Sequence, residues 1–66
     1  LFRSSVTDKL TPMEYSIAML ASKGWTNQEI AKQLSVSPNT IKHYLSRIFH
    51  LLDIEKREEL KPFVNK

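Results

Sequence analysis

The sequence predicts a small all-α domain of four helices that contains a helix-turn-helix, with the fourth helix short or kinked at Pro62. Three observations carry this prediction. Helix-start signals stand at Thr11-Pro12-Met13-Glu14, Thr26-Asn27-Gln28-Glu29 and Ser37-Pro38, each ahead of apolar residues at helical spacing. The second and third starts are joined by Ser35-Val36-Ser37, a turn that forces the two helices into close packing. One Gly in 66 residues, with 41% of them hydrophobic, suits a compact helical domain rather than a disordered segment.

A chain of this length forms one small domain, burying about 60% of the surface its unfolded form exposes. Residues 1–9 are polar and aperiodic and read as a linker remnant, which leaves residues 10–66 as the domain. Because the first residue is Leu1 rather than Met, a piece of a longer protein is expected. With no Cys there is neither a disulfide framework nor a thiolate metal site. No apolar run approaches the roughly 20 residues that span a bilayer, so no membrane contact is expected of this chain.

The first helix begins where Thr11 caps free backbone donors, Pro12 fills the first position and Glu14 completes a capping box. Met13, Ile17, Leu20 and Ala21 then share its inner side, and Gly24 can take the left-handed conformation that closes it. Lys23 stands near its negative end, and Trp25 should fold back onto the core. Tyr15 and Met19 fall on its outer face, either as isolated exposed side chains or as a docking patch for another domain of the parent protein.

The second helix opens on the Thr26–Glu29 capping box and runs to about Leu34, with Ile30, Ala31 and Leu34 inward and Val36 plugging the turn. Ala31 is small enough to admit another helix. The third helix starts at the Ser37 cap and continues to about Leu52. Lys56 to Leu60 favours a helix, but Pro62 follows, and an interior Pro costs about 3 kcal/mol. Pro62 also biases Lys61 away from helical geometry, so a helix from about 55 to 61 is expected.

The third helix holds the functional signal. At about 100° per residue, Ile41, Leu45, Ile48 and Leu52 form one narrow stripe. Opposite lie Asn39, His43, Ser46 and His50, with Arg47 beside them and Lys42 and Thr40 on the flanks. An ordinary solvated face would mix Glu with Lys, whereas no acidic residue occurs between Glu29 and Asp53. That interval contains Lys32, Lys42 and Arg47, while Glu55, Glu58 and Glu59 lie beyond it. Such a face attracts phosphates and can hydrogen-bond base edges in a DNA major groove.

A catalytic reading needs a nucleophile beside a base or paired carboxylates in a cleft, and only His43 and His50 are candidates. They stand about 10 Å apart by helical rise, too far to share a metal without a third ligand from elsewhere. No enzyme activity, metal or cofactor is expected.

Leu10 to Leu60 resembles the LuxR/GerE-type helix-turn-helix domain of bacterial transcription regulators, commonly the output domain of response regulators. The matching residues are Leu10-Thr11, Glu14, Gly24, Thr26 to Ala31, Leu34, Ser35 to Lys42, Ile48 and Leu52. The resemblance implies a four-helix domain in the cytoplasm, at the bacterial nucleoid, whose fourth helix often mediates dimerisation. It implies base contacts by Lys42, His43 and Ser46, to which Asn39 is added from the face above. Backbone contacts carry over to Thr26, Asn27, Thr40 and Arg47, joined here by Ser37, Tyr44 and His50.

The implied partners are double-stranded DNA, an upstream receiver or sensor domain and RNA polymerase. The shortened fourth helix predicts a monomer or a weak, DNA-induced homodimer. Departures from the family pattern are Met13 for Arg, Tyr44 for His, Leu51 for Lys and Asp53 for Gly. Tyr44 can pack its ring and still reach a phosphate with its hydroxyl. Leu51 removes one possible phosphate contact, and Asp53 should shorten or reshape the turn after the third helix. Two rival functions stand beside this one: a protein-interaction module on the same fold, and a sigma-factor-like promoter-binding domain.

Overall fold

Each capping signal in the sequence starts a helix. The computed structural model of the chain describes residues 10–64, so the linker expected over residues 1–9 lies outside the described residues. Helix α1 spans Pro12–Ser22, α2 Asn27–Leu34 and α3 Pro38–Leu52. One turn of 3-10 helix at Arg57–Leu60 runs directly into α4, Lys61–Val64. Among the described residues there is no strand.

The starts use the chemistry that the sequence predicts. Thr11 Oγ1 accepts the Glu14 N–H at 3.2 Å, and Glu14 Oε1 accepts the Thr11 N–H at 3.0 Å. Thr26 and Glu29 repeat this exchange at 3.1 and 2.9 Å, and Ser37 Oγ accepts the Thr40 N–H at 3.1 Å.

The helix ends share one device. After α1, the Gly24 N–H donates to the Ala21 carbonyl at 3.0 Å and the Trp25 N–H to the Leu20 carbonyl at 3.2 Å. The same pair of bonds closes α2 through Ser35 and Val36, and α3 through Asp53 and Ile54. The pivot residue has positive φ each time: 94° at Gly24, 60° at Ser35 and 57° at Asp53. Asp53 therefore neither shortens nor reshapes the turn after α3. It takes the left-handed conformation itself, which Asp tolerates better than most residues.

Ile17, Ile30, Ile41, Ile48 and Leu60 are fully buried and draw on every helical segment except α4, which adds Val64. Helix α3 lies across both α2 and α1. Ala18, Ala21 and Ala31 are buried at these crossings, where small side chains let the backbones approach. Trp25 and Val36 are half-buried against the core, as the sequence suggests.

Three expectations are corrected. The fourth segment begins at Arg57 and reaches Val64, so Pro62 lies inside the helical run rather than beyond its end. As the second residue of α4 its missing N–H falls in a first turn, where no intrahelical acceptor is required. Lys61 is helical, at φ −53° and ψ −46°. The buried Leu60 and Val64 flank it, and each fully buried side chain of this size contributes about 1.5–3 kcal/mol, enough to override a local bias.

Tyr15 and Met19 are half-buried against the core rather than presented on an outer face. The Tyr15 hydroxyl donates to the Val64 carbonyl at 3.4 Å, so Tyr15 packs beside α4 of the same chain. Met13, by contrast, turns outward instead of joining the inner side of α1.

Two predictions follow from this packing. Leu60→Ala should destabilise the domain as much as Ile41→Ala, by about 2–5 kcal/mol in chemical denaturation, because both side chains have no accessible surface. A cost under 1 kcal/mol at Leu60 would detach the fourth segment from the core. Ser35→Gly and Asp53→Gly should each raise the urea midpoint at constant slope. Relief of the left-handed strain exceeds the added chain entropy there by about 0.5–1 kcal/mol.

Candidate nucleic-acid interface

The rotation of α3 about its own axis decides what the domain presents. Ile41 and Ile48 are fully buried, with Leu45 and Leu52 nearly so. That burial turns Asn39, Lys42, His43, Ser46, Arg47 and His50 outward, and all six are exposed. Thr40 and Tyr44 are half-buried at the edge of this face. Thr40, His43, Tyr44 and Arg47 line one shallow, open depression. No carboxylate lies on α3, so every polar group on the face can donate a hydrogen bond.

The caps add donors at the rim. Ser37 and Thr26 are exposed, and each hydroxyl accepts a backbone N–H while keeping its own proton. At Ser37 that proton has a neighbour, because its Oγ lies 2.9 Å from Thr40 Oγ1.

Two arginines are tied to the interior, and neither tie follows from helical spacing. Arg47 Nε donates to Glu14 Oε2 at 2.7 Å. Glu14 is 2% exposed, whereas the Arg47 side chain is 62% exposed, so a buried carboxylate holds the base of an exposed fork. Both Glu14 oxygens are engaged, one by the Thr11 N–H and the other by Arg47. The Thr11 N–H holds the Glu14 carboxyl below its ordinary range; burial opposes this, and the Arg47 guanidinium reinforces it. The sequence reading gives Glu14 a capping role alone and Arg47 an unattached position. Contacts between α1 and α3 create the pair.

Arg57 is the residue that sequence reasoning misses. Its Nη1 donates to the Trp25 carbonyl at 2.6 Å and its Nη2 to Asn27 Oδ1. Asn27, the first residue of α2, is half-buried beneath it. With Oδ1 engaged, the amide of Asn27 retains its NH2 group as a donor. No local pattern joins Arg57 to Asn27, because only the return of the fourth segment brings them together.

Among the described residues no three His, Cys, Asp or Glu side chains are grouped to hold a metal ion, and no helix is long and apolar enough to cross a membrane.

A capped α2, a tight turn and an α3 that is apolar within and cationic without make up a helix-turn-helix. The bacterial regulatory proteins of the luxR family match this chain over residues 8–63. The chain belongs to that family. Its helix-turn-helix is the DNA-binding module of a LuxR-family regulator.

The chain is similar to the two-component response regulator PprB of Pseudomonas aeruginosa, with 40% identity over 52 residues, 79% of this chain and 19% of that protein. It is 44% identical over 52 residues to the transcriptional regulatory protein ComA of Bacillus subtilis, covering 79% of this chain and 24% of ComA. The response regulator protein VraR of Staphylococcus aureus is 33% identical over 57 residues, 86% of this chain and 27% of VraR. The chain thus spans about a quarter or less of these relatives. No solved structure matches it.

The Glu14 environment sets an acid limit. A carboxyl held low in the folded state contributes stability above its unfolded value of about 4.3, and that contribution is lost as pH falls through the folded value. Wild-type unfolding midpoints should therefore drop on acidification below about pH 4.3, and Glu14→Gln should flatten that drop while lowering stability at neutral pH. Parallel wild-type and Glu14→Gln curves across the acid range would exclude Glu14 as the group responsible.

Proposed function

We propose that α3 enters the major groove with Asn39, Lys42, His43 and Ser46 facing base edges. Thr26, Asn27, Ser37, Thr40, Tyr44, Arg47 and His50 contact the sugar-phosphate backbone on either side. The observation that carries this reading is the coincidence, on one helix of a helix-turn-helix, of a buried apolar stripe and an exposed, carboxylate-free donor face. Lys42 can bond guanine O6 and N7, Asn39 can pair with adenine, and His43 and Ser46 can serve either base. The backbone group supplies sequence-independent affinity and sets the register of α3 on the duplex.

The parent protein, in this reading, is a bacterial transcription regulator with an upstream receiver or sensor domain. Support comes from the response-regulator relatives and from the small share of their length that this chain spans. It acts at the nucleoid in the bacterial cytoplasm, where its DNA partner lies, and RNA polymerase is its second partner. The module is non-catalytic and uses no cofactor, because recognition requires donors and shape but breaks no bond. On the same reading the domain is a monomer, or a weak dimer that forms on DNA.

Selection of bound duplexes from a random-sequence pool tests the reading directly. A defined motif is expected, and Lys42→Ala should weaken binding to it by about 1–3 kcal/mol. Loss of a phosphate contact, as in Arg47→Ala, should instead lower the salt slope by roughly 0.9. Recovery of no duplex at low salt would leave a protein-interaction module as the function. A motif bound only together with RNA polymerase would favour the sigma-like reading.

A further inference from the structure

One side chain on the DNA-facing side of α3 is held from within the protein. Arg47 is mostly exposed, yet its Nε is bonded to a carboxylate that is almost wholly buried. That carboxylate is fixed in turn, because Glu14 Oε1 closes the capping box of α1. Both oxygens of the anchor are therefore engaged. A guanidinium carries its donors in a planar fork, so engaging Nε sets the plane and direction of the two terminal nitrogens. Thr40, His43 and Tyr44 border the same depression and narrow the space into which the fork can turn.

We propose that Glu14 is a positioning residue for DNA binding, holding Arg47 so that its terminal nitrogens meet a backbone phosphate already oriented. The inference rests on the proposed phosphate contact of Arg47. An untethered arginine must lose its rotamer freedom when it grips a phosphate, whereas this one has lost it on folding. Glu14 thus improves DNA binding although its own charge repels DNA.

Because those two effects have opposite signs, Glu14→Gln separates them. Gln also serves in a capping box, so the start of α1 is retained while one negative charge leaves the neighbourhood of the interface. Simple electrostatics predicts tighter binding to the selected duplex. Positioning predicts weaker binding, on the order of tenfold, the loss expected when a charge-assisted hydrogen bond no longer orients its donor. Arg47→Ala should weaken binding at least as much, and adding Glu14→Gln to it should cause no further loss, since only the repulsion by the Glu14 charge is then left to remove.

Arg47→Lys retains the charge at an exposed site and so folds. A single ammonium cannot hold a carboxylate and a phosphate in fork geometry, so this variant too should bind more weakly. A purely structural role for Glu14 would move the unfolding midpoint and leave the affinity of the folded chain unchanged. Equal or tighter binding by folded Glu14→Gln, wild-type binding by Arg47→Lys, or additivity in the double variant would each overturn the inference. If Glu14→Gln does not fold, Arg47→Lys alone decides. Should Lys42→Ala weaken binding while Glu14→Gln and Arg47→Lys do not, positioning fails and the interface stands. Should Lys42→Ala and Arg47→Ala both bind as wild type, the interface fails and the inference with it.

Discussion

Ile41, Leu45, Ile48 and Leu52 have only one place to go, beneath α1 and α2, and their burial there governs nearly everything else in the domain. A helix has one rotational freedom about its axis once its ends are placed. Four branched side chains in one narrow stripe remove it, because any rotation would return apolar surface to water. The face proposed to bind DNA is the consequence of that constraint. Asn39, His43 and Ser46 are exposed because they lie opposite the stripe, and no interaction of their own keeps them there.

A domain of this size has little stability to spare, so its ends and crossings carry unusual weight. Every long helix starts on a side-chain cap and stops on a left-handed residue, which leaves few orphan backbone groups. Two arginines then join segments that are distant in sequence. Arg47 ties α3 to the start of α1, and Arg57 ties the last segment to the loop before α2. Among the described residues, every buried side-chain nitrogen or oxygen has a partner. Glu14 is satisfied by the Thr11 N–H and Arg47, and Ser22 by the Met19 carbonyl.

The same ties link the fold to the proposed interface. Glu14 belongs to the first helix and never reaches the surface, yet it bears on a side chain that does. Arg57 belongs to the final segment, yet it orients the amide that opens α2. Thus the elements that flank the helix-turn-helix do more than complete a core. They set the direction of donors at its rim, so a change in how the last segment packs would be felt at the edge of α2.

Capping boxes, proline starts, the Gly24 stop and the periodic stripe of α3 are written in adjacent residues, so the linear chain determined the three long helices and the polar face of the third. These features depend on backbone chemistry within one or two turns. Tertiary structure alone decided that Pro62 lies within a helical run, that Tyr15 is covered by the last turn, and that Arg47 and Arg57 have partners. Each of those outcomes depends on groups distant in sequence, and no periodicity reports which distant group a side chain will meet. Local bias at Lys61 yielded for the same reason: burial of Leu60 and Val64 is a property of the assembled core, and it outweighs the preference of a single dipeptide.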